Sequence, residues 1–312
     1  MSLLWRRTRK RIKNWLIYIF VKAGLRWINS AARDTAIKFL KNLALFGFYL
    51  IGSERRKTID HLTLIYGSHY DQKTIYRMAR AVFINLGRNM ADAFRLPCYS
   101  SHNIDRYVTA WGLEKLDRAL ARGRGVLAIT GHIGNWELMG AYLAIKGYPV
   151  NVVGAPIYDP RLDALVVSNR ERSGMKYIAR GGATREILRA LARNEIIGLL
   201  IDQDTRHVDG VFIDFLGKLA YTPVGPTILA LKTQAAVVPM AIHIGPDNRH
   251  YIEIGDQLDL EISGDASQDR VTNTQRFSDA IAQVIQKYPT QWVWMHQRWK
   301  TKPEDVASKD LH

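Results

Sequence analysis

Short β-rich runs alternate with helical runs from residue 125 onward, and this alternation limits the possible folds more than any other feature of the sequence. The apolar, β-branched runs predict strands at 126–130, 150–153, 196–201, 237–243 and 251–254. The runs between and after these strands predict helices at 136–146, 160–173, 183–193, 223–234 and 271–287. The sequence therefore predicts an α/β fold with a mostly parallel or mixed sheet flanked by helices.

The region before this alternation is predicted to be helical. Between residues 53 and 120, apolar residues recur at helical spacing, as in Ile75, Met78, Ala79, Val82, Phe83 and Leu86. We therefore divide the 312-residue chain into an N-terminal segment at 1–52 and one larger domain at 53–312. The larger domain comprises the helical lead-in at 53–120, an α/β core at 121–300 and a short C-terminal tail.

The N-terminal segment has the composition of a membrane-associating helix. Its apolar stretches at 15–28 and 36–52 are interrupted by Lys or Arg, and neither reaches the roughly 18 uncharged residues of a plain membrane span. An amphipathic interfacial helix and a short span are both compatible with it. A secretory signal and a buried helix hairpin are the alternatives. The basic residues ahead of the first stretch are Arg6, Arg7, Arg9, Lys10, Arg11 and Lys13.

The net charge of +15 points to an anionic partner, which can be a nucleic acid, an anionic lipid or an acidic protein. The N-terminal basic run adjoins an apolar stretch that contains Trp15 and Trp27, which favours a membrane surface over a nucleic acid. The positive-inside tendency then predicts the cytoplasmic face of a membrane. The single cysteine, Cys98, excludes an intramolecular disulfide and is predicted to be a packing residue.

The segment from Gly131 to Glu137 carries the strongest chemical signal. It follows a predicted strand and begins a predicted helix, the position where α/β sheets commonly bind ligands. His132 and Glu137 would be about 140° apart on a regular helix, so both can face one site only if His132 precedes the helix. A carboxylate on one imidazole nitrogen leaves the other nitrogen free to accept a proton from a hydroxyl. The spacing thus predicts a general-base pair in which Glu137 orients His132.

The sequence gives no support for a covalent intermediate or a required metal. It has no Gly-x-Ser-x-Gly elbow, and Cys98 has no evident partner. Asp202 and Asp204 flank Gln203 at the end of a predicted strand, where they can be metal ligands, a second catalytic pair or structural acceptors. Because no third ligand lies at a convincing spacing, we predict no metal and no cofactor.

The motif His132-x4-Glu137 resembles the first signature of the glycerolipid and lysophospholipid acyltransferase superfamily. The longer context resembles one branch of it, the bacterial lipid A late acyltransferases. Similar blocks recur in order along nearly the whole chain: Asp159-Pro160-Arg161-Leu162 with Arg170 and Gly174, Ile201-Asp202-Gln203-Asp204, Gly210-Val211-Phe212 with Phe215-Leu216-Gly217, Thr222-Pro223 with Gly225, Val237-Val238-Pro239, and Tyr288-Pro289 through Trp292, Trp294, His296, Arg298, Trp299 and Lys300.

The resemblance implies a glycerol-phosphate-acyltransferase-like fold and transfer of a fatty acyl group from an acyl carrier protein thioester. The acceptor it implies is a hydroxyl of an anionic glycolipid, the lipid A precursor, at the cytoplasmic face of the bacterial inner membrane. The substrate-binding residues carried over or placed near the motif are Asn135, Arg170, Arg180, Asp202, Gln203 and Asp204. Arg170 is the first choice of side chain for the oxyanion, and the role of Arg206 stays open.

Other functions are compatible with the same residues. The acceptor can be another glycolipid or a lysophospholipid, because the histidine motif does not encode it. A chain of this fold can also bind lipid at a membrane without catalysis. The terminal tryptophans are predicted to pack on the core or to form a wall of the acyl site.

Overall fold

The computed structural model describes residues 3–307, with the backbone alone for residues 3–13, Leu16 and Ala307. The basic side chains from Arg6 to Lys13, which were predicted to contact lipid, lie outside the described side chains. The described chain folds into a central sheet, a separate hairpin and surrounding helices.

Nine strands occur in the described part of the chain: β1 Val108–Trp111, β2 Val126–Thr130, β3 Val150–Gly154, β4 Lys176–Ala179, β5 Ile196–Leu200, β6 Gly210–Phe215, β7 Lys218–Pro223, β8 Ala236–Ile244 and β9 His250–Ile254. Seven of them form one sheet in the order β1-β9-β8-β2-β5-β3-β4. Every neighbouring pair in this sheet is parallel except β8 and β9, which are antiparallel. Strands β6 and β7 form a separate antiparallel hairpin.

The α-helices of the described residues are α1 Leu3–Ser30, α2 Arg33–Leu50, α3 Gly52–Tyr66, α4 Gln72–Phe94, α5 Leu113–Leu120, α6 Trp136–Ile145, α7 Pro160–Arg172, α8 Thr184–Ala192, α9 Gly225–Thr233, α10 Ala266–Lys287 and α11 Pro303–Ala307. Several begin at an aspartate whose carboxylate accepts hydrogen bonds from free backbone N–H groups. Asp71, Asp159 and Asp265 cap α4, α7 and α10 in this way. The caps explain why these helices begin where they do.

The predicted α/β architecture with a mostly parallel, mixed sheet is confirmed. Four predicted helices and all five predicted strands lie within two residues of the observed bounds, while α10 begins five residues before the predicted residue 271, at the Asp265 cap. The lead-in at 53–120 is not wholly helical, because β1 lies within it. Strands β4, β6 and β7 were also missed. Strands β1 and β4 are short edge strands with one buried residue each, so their apolar pattern is weak.

Strand β2 lies at the centre of the core. All five of its residues are buried, as expected of a strand that is covered by helices on both faces. Helix α6 covers one face through Leu138 and Met139, and α8 and α10 cover the other. Strands β2 and β5 are parallel, and Thr130 pairs with Leu200. The segments that follow these two strands therefore emerge side by side.

Helices α1 and α2 pack beside α4. Ile28, Ala36, Ile37 and Leu40 are buried against Ala91. No single helix within residues 3–307 has the length and apolarity needed to cross a membrane, although α2 and α3, bent by 88° at their junction, meet the criteria of length and composition as a pair. Membrane association of the N-terminal segment stays a prediction.

Candidate active site

The turn that carries His132 is fixed by glycine and by the C-terminal segment. Gly134 has a φ of +59°, and a Cβ there would lie 1.9 Å from the carbonyl oxygen of Ile242, so only glycine fits. The backbone N–H of Val293 donates to the carbonyl oxygen of His132 at 3.0 Å, and the N–H of Gly134 donates to the carbonyl of Gln291. His132 therefore lies in a rigid turn ahead of α6.

The carboxylate that holds His132 belongs to Asp202. Its Oδ1 accepts from His132 Nδ1 at 2.7 Å, and its Oδ2 accepts from the His132 backbone N–H at 2.6 Å. The indole N–H of Trp292 also donates to Oδ2, at 2.7 Å. Burial alone would raise the pKa of the Asp202 carboxyl, but its hydrogen bonds and the charge of His132 hold that pKa well below the usual range. Asp202 is therefore an ionised, fully buried acceptor.

This arrangement determines the tautomer of His132. A carboxylate can only accept, so Nδ1 carries the proton. The other ring nitrogen, Nε2, then has a lone pair and lies 3.2 Å from the side-chain amide nitrogen of Gln203. The imidazole is partly exposed, with 17% of its side-chain surface accessible. A histidine with one nitrogen on a buried carboxylate and the other at an opening can act as a general base.

The predicted hydrogen bond between Glu137 and His132 is wrong. Both carboxylate oxygens of Glu137 accept from Arg170 instead, from Nε at 2.9 Å and from Nη2 at 2.5 Å. Burial lowers the pKa of the Arg170 guanidinium, but its hydrogen bond to Glu137 and the charge of Glu137 raise that pKa above its ordinary value. Glu137 lies in the first turn of α6, and its carboxylate contacts Arg170 on α7. The register of β2 and β5 brings Asp202 to His132 instead.

Two further side chains lie beside His132. The ring centroid of His296 is 4.8 Å from that of His132, and the Gln203 amide nitrogen is within 3.4 Å of both ring nitrogens of His296. Burial, and then the charge of His132, lower the pKa of His296 to about 4, so this ring is neutral at neutral pH. Gln203 was predicted as a site residue, and the structure brings it to His132. The proximity of His296 was not predicted.

The remaining predicted site residues divide into two groups. Asn135 is buried and caps α6, and its amide nitrogen donates to the backbone of Asn89, so both of its polar ends are bound within the protein. Asp204 accepts two hydrogen bonds from Thr301. Asn135 and Asp204 are thus hydrogen-bonded within the protein, and their binding of substrate stays a prediction. Arg170 and Arg180 both belong to the lining of a cavity that also includes His132.

An apolar cavity of about 650 Å³ opens at His132. It extends between the sheet and α6, and also reaches the neighbourhood of α8 and α9. Its apolar lining includes Ala128, Met139, Leu143, Val152, Ile187, Ile196, Leu199 and Leu229. The terminal tryptophans are absent from the described lining. The sequence predicted that these tryptophans pack on the core or form a wall of the acyl site. The structure places three of them in the core: Trp292, Trp294 and Trp299.

The sequence contained a signal for the His132–Asp202 contact that spacing alone did not reveal. His132 and Asp202 each lie two residues beyond a strand residue, and those strand residues, Thr130 and Leu200, are register partners. The His132–Asp202 contact follows from these positions only when β2 and β5 are known to be neighbours in the sheet. Within the part of the chain that the structure describes, no three His, Cys, Asp or Glu side chains are grouped to hold a metal ion.

A histidine held by a buried carboxylate beside an apolar cavity, at the carboxyl ends of parallel strands, is an arrangement with which an enzyme can activate a hydroxyl beside an apolar chain. The family model of the bacterial lipid A biosynthesis acyltransferases matches residues 6–301, so the chain belongs to that family and is an acyltransferase. The motif resemblance to this family is thereby confirmed.

Individual relatives have different named substrates. The chain is 30% identical over 220 residues to a phosphatidylinositol mannoside acyltransferase of Mycobacterium tuberculosis, covering 68% of this chain and 67% of the relative. It is 26% identical over 228 residues to the lipid A biosynthesis lauroyltransferase of Escherichia coli, covering 73% of each. It is 23% identical over 258 residues to the E. coli lipid A biosynthesis palmitoleoyltransferase, covering 82% of each.

Proposed function

We propose that this acyltransferase moves a fatty acyl chain from an acyl carrier protein thioester to a hydroxyl of a lipid A precursor, with His132 as general base. The observation that carries the proposal is the His132–Asp202 pair at the opening of the apolar cavity. Asp202 takes the orienting role that the sequence had given to Glu137. It is a positioning residue, because it acts on the substrate through His132.

The reaction begins when the acceptor hydroxyl replaces the amide of Gln203 on His132 Nε2. His132 accepts the hydroxyl proton as the oxygen attacks the thioester carbonyl carbon, and Asp202 stabilises the resulting imidazolium. The tetrahedral intermediate then expels the thiolate as the carbon–sulfur bond breaks, and His132 returns the proton to the sulfur. The products are the acylated lipid and the free carrier thiol.

The oxyanion of the tetrahedral intermediate requires a hydrogen-bond donor. Gln203 supplies one, because its amide nitrogen lies 3.2 Å from His132 Nε2 and stays next to the reacting carbon when the hydroxyl enters. Arg170, the first choice from the sequence, donates two of its N–H groups to Glu137. We therefore assign Arg170 to the anionic part of the acceptor, together with the exposed Arg180 at the same opening.

The apolar cavity fits the hydrocarbon of the donor. The aliphatic side chains of its lining, such as Met139, Leu143 and Ile196, cannot form hydrogen bonds with a bound group. An extended acyl chain gains free energy on leaving water at about 0.8 kcal/mol per methylene. The net charge of +15 suits both an acidic carrier protein and a phosphorylated lipid. We place the enzyme at the cytoplasmic face of the bacterial inner membrane, where the N-terminal helices would meet the acceptor.

A second acceptor is favoured by a specific observation. The relatives of Mycobacterium tuberculosis and Mycolicibacterium smegmatis, at 30% and 28% identity, are named for phosphatidylinositol mannoside. This glycolipid is also anionic, and it would use the same His132 chemistry. The choice between the two acceptors depends on the headgroup contacts at the opening.

The test is a transfer assay with purified protein, acyl carrier protein thioesters and a panel containing lipid A precursor and phosphatidylinositol mannoside, followed by mass spectrometry. Wild type should acylate the lipid A precursor, and His132→Ala should lose roughly 10²- to 10⁴-fold in kcat. His102→Ala, at an exposed position, is the matched control and should keep full activity. Transfer to phosphatidylinositol mannoside alone would overturn the acceptor assignment, and full activity of His132→Ala would overturn the mechanism.

A further inference from the structure

We call the part of the cavity between α6 and the sheet the inner lobe. Its lining residues on the strands are arranged in levels that follow from the strand register. Side chains two residues apart on a strand face the same side. Thr130 and Leu200 form the level next to His132, Ala128 and Gly198 the next, and Ile196 with Val150 the deepest. A chain whose carbonyl lies at His132 would extend down these levels.

Gly198 is the exception on this wall. It lies in the middle of β5 between Ala128 on β2 and Val152 on β3, and glycine in a strand interior weakens the strand and often marks a close approach by a ligand. A Cβ at Gly198 would meet only Asn151 O at 3.6 Å and Val152 Cγ1 at 3.8 Å, which are ordinary contacts. The protein therefore has room for a side chain at Gly198 and leaves that room empty.

A second observation concerns Thr130, in the level of the wall next to His132. Thr130 lines the cavity and is only 5% exposed, yet its hydroxyl has no hydrogen-bond partner among the described residues. A buried hydroxyl without a partner is unfavourable. The level of the wall next to His132 therefore carries a polar group whose hydrogen bonding the described residues do not satisfy.

We propose that Gly198 sets the acyl chain length of the donor by keeping the lobe open from Ala128 down to Ile196 and Val150. This inference rests on the proposed function. One level of the wall is about 6.6 Å deep, and an extended chain advances about 1.2 Å per bond, so closing one level removes space for about five carbons.

Two substitutions at Gly198 reduce the depth of the inner lobe, and one substitution at its deepest level increases that depth. Gly198→Ala and Gly198→Val should move the preferred donor to shorter chains, by up to about five carbons for valine. Val150→Ala, which enlarges the deepest level, should move the preference to longer chains. Gly181→Ala adds a methyl group where nothing lies within 4 Å, outside the described lining, and should leave the profile unchanged.

The first measurement is competition among acyl carrier protein thioesters of eight to eighteen carbons, read as the ratio of products. The second needs no acceptor: non-hydrolysable S-alkyl phosphopantetheine thioethers of the same lengths are compared by the Tm shift they produce. Gly198→Ala should fold, because its Cβ fits, and it carries the test if Gly198→Val does not fold.

The two measurements separate this inference from the proposed function. If wild type acylates no acceptor but the thioether length preference shortens in Gly198→Ala, the lobe assignment stands and the proposed reaction fails. An identical length preference in wild type, Gly198→Ala and Val150→Ala, in both measurements, would overturn the role of Gly198.

Discussion

The imidazole of His132 is held by groups that are distant in the chain. Asp202 follows β5, Trp292 lies in the C-terminal segment, and their side chains meet at one carboxylate. The pair His132 and Glu137 is visible as a spacing, whereas the pair His132 and Asp202 exists only because β2 and β5 are neighbours in the sheet. Sequence spacing therefore assigned His132 a carboxylate partner that the structure does not place beside it, and could not indicate Asp202.

We expect Asp202→Asn to lower kcat roughly 10²- to 10⁴-fold, the range typical of losing general-base assistance. Asparagine cannot balance the imidazolium charge, and its amide can donate to Nδ1 and favour the wrong tautomer. Glu137→Gln should chiefly raise KM, since Glu137 holds Arg170 at the opening rather than His132. Steady-state kinetics with separate kcat and KM values measures both effects.

Asp256→Asn serves as the control for this pair, because Asp256 is exposed and pairs with Lys115 at the surface. Circular dichroism and Tm verify that each variant is folded. A larger loss of kcat in Glu137→Gln than in Asp202→Asn would contradict the assignment and restore Glu137 as the partner of His132 during catalysis.

The site was predictable where its residues share one local motif. His132 and the turn glycines could be identified because a strand, a glycine-rich turn and a helix follow each other in the sequence. Asp202 and Gln203 were predicted as site residues but without their contacts. The proximity of His296 was not predictable, since it depends on how the C-terminal segment packs across the His132 turn.

At the scale of elements, a buried charge cluster joins three parts of the fold. Arg33 at the start of α2 donates to both oxygens of Asp92 in α4, at 2.9 and 2.6 Å. His250 in β9 lies 2.7 Å from Asp92, and Tyr99 also donates to it. Asp92 and His250 are fully buried. The cluster therefore fixes the N-terminal helices to the sheet through α4.

The cluster predicts a specific dependence of stability on pH. Burial would raise the pKa of the Asp92 carboxyl, but His250 and Arg33 lower it to about 2. A lowered carboxyl pKa stabilises the fold at pH values above the unfolded-state pKa of about 3.9, and that contribution is lost as pH falls through about 2. Asp92→Asn should lower the free energy of unfolding by about 3–5 kcal/mol at neutral pH, because Arg33 stays buried without its partner.

Urea denaturation across a pH series measures this contribution. The difference between wild type and Asp92→Asn should shrink between about pH 4 and pH 2, whereas Asp60→Asn, at an exposed position, should differ little from wild type at any pH. A constant difference between wild type and Asp92→Asn over the whole series would mean that the charge of Asp92 does not stabilise the fold.

Elements were predictable in proportion to their burial. Strand β2, buried at every residue, was predicted at its observed bounds. Strands β1 and β4 have one buried residue each and did not stand out from their surroundings. Strands β6 and β7 form their own hairpin outside the central sheet, so the alternation of strand and helix that revealed the other strands does not include them.

At the scale of the whole molecule, α2 presents an apolar stripe to solvent. The stripe consists of four residues at spacings of four, three and four: Phe39, Leu43, Phe46 and Leu50. Each of them is between 47% and 66% exposed. The opposite side of α2 is buried against α4. The exposed Lys38 on α2 and Lys22 and Arg26 on α1 accompany the stripe. Apolar residues beside cations are the composition of a surface that binds anionic bilayers.

We expect the stripe to hold the protein on membranes. Replacing its four residues with serine should weaken binding to vesicles that contain anionic lipid by at least about tenfold, since each buried apolar side chain contributes roughly 1.5–3 kcal/mol. The control replaces Leu219 and Ile262, which are also apolar and exposed, with serine. Binding is measured by vesicle sedimentation at low and high salt.

The salt series distinguishes the two parts of this attraction. Salt screens the contribution of the basic residues, whereas the apolar contribution persists, so wild type should keep partial binding at high salt and the stripe variant should lose nearly all of it. With acceptor dispersed in detergent, the stripe variant should retain wild-type kcat, because α2 contributes no residue to the cavity lining described above. Equal vesicle binding by wild type and the stripe variant would place membrane contact elsewhere on the molecule. A loss of kcat in detergent would link α2 to catalysis rather than to membrane binding.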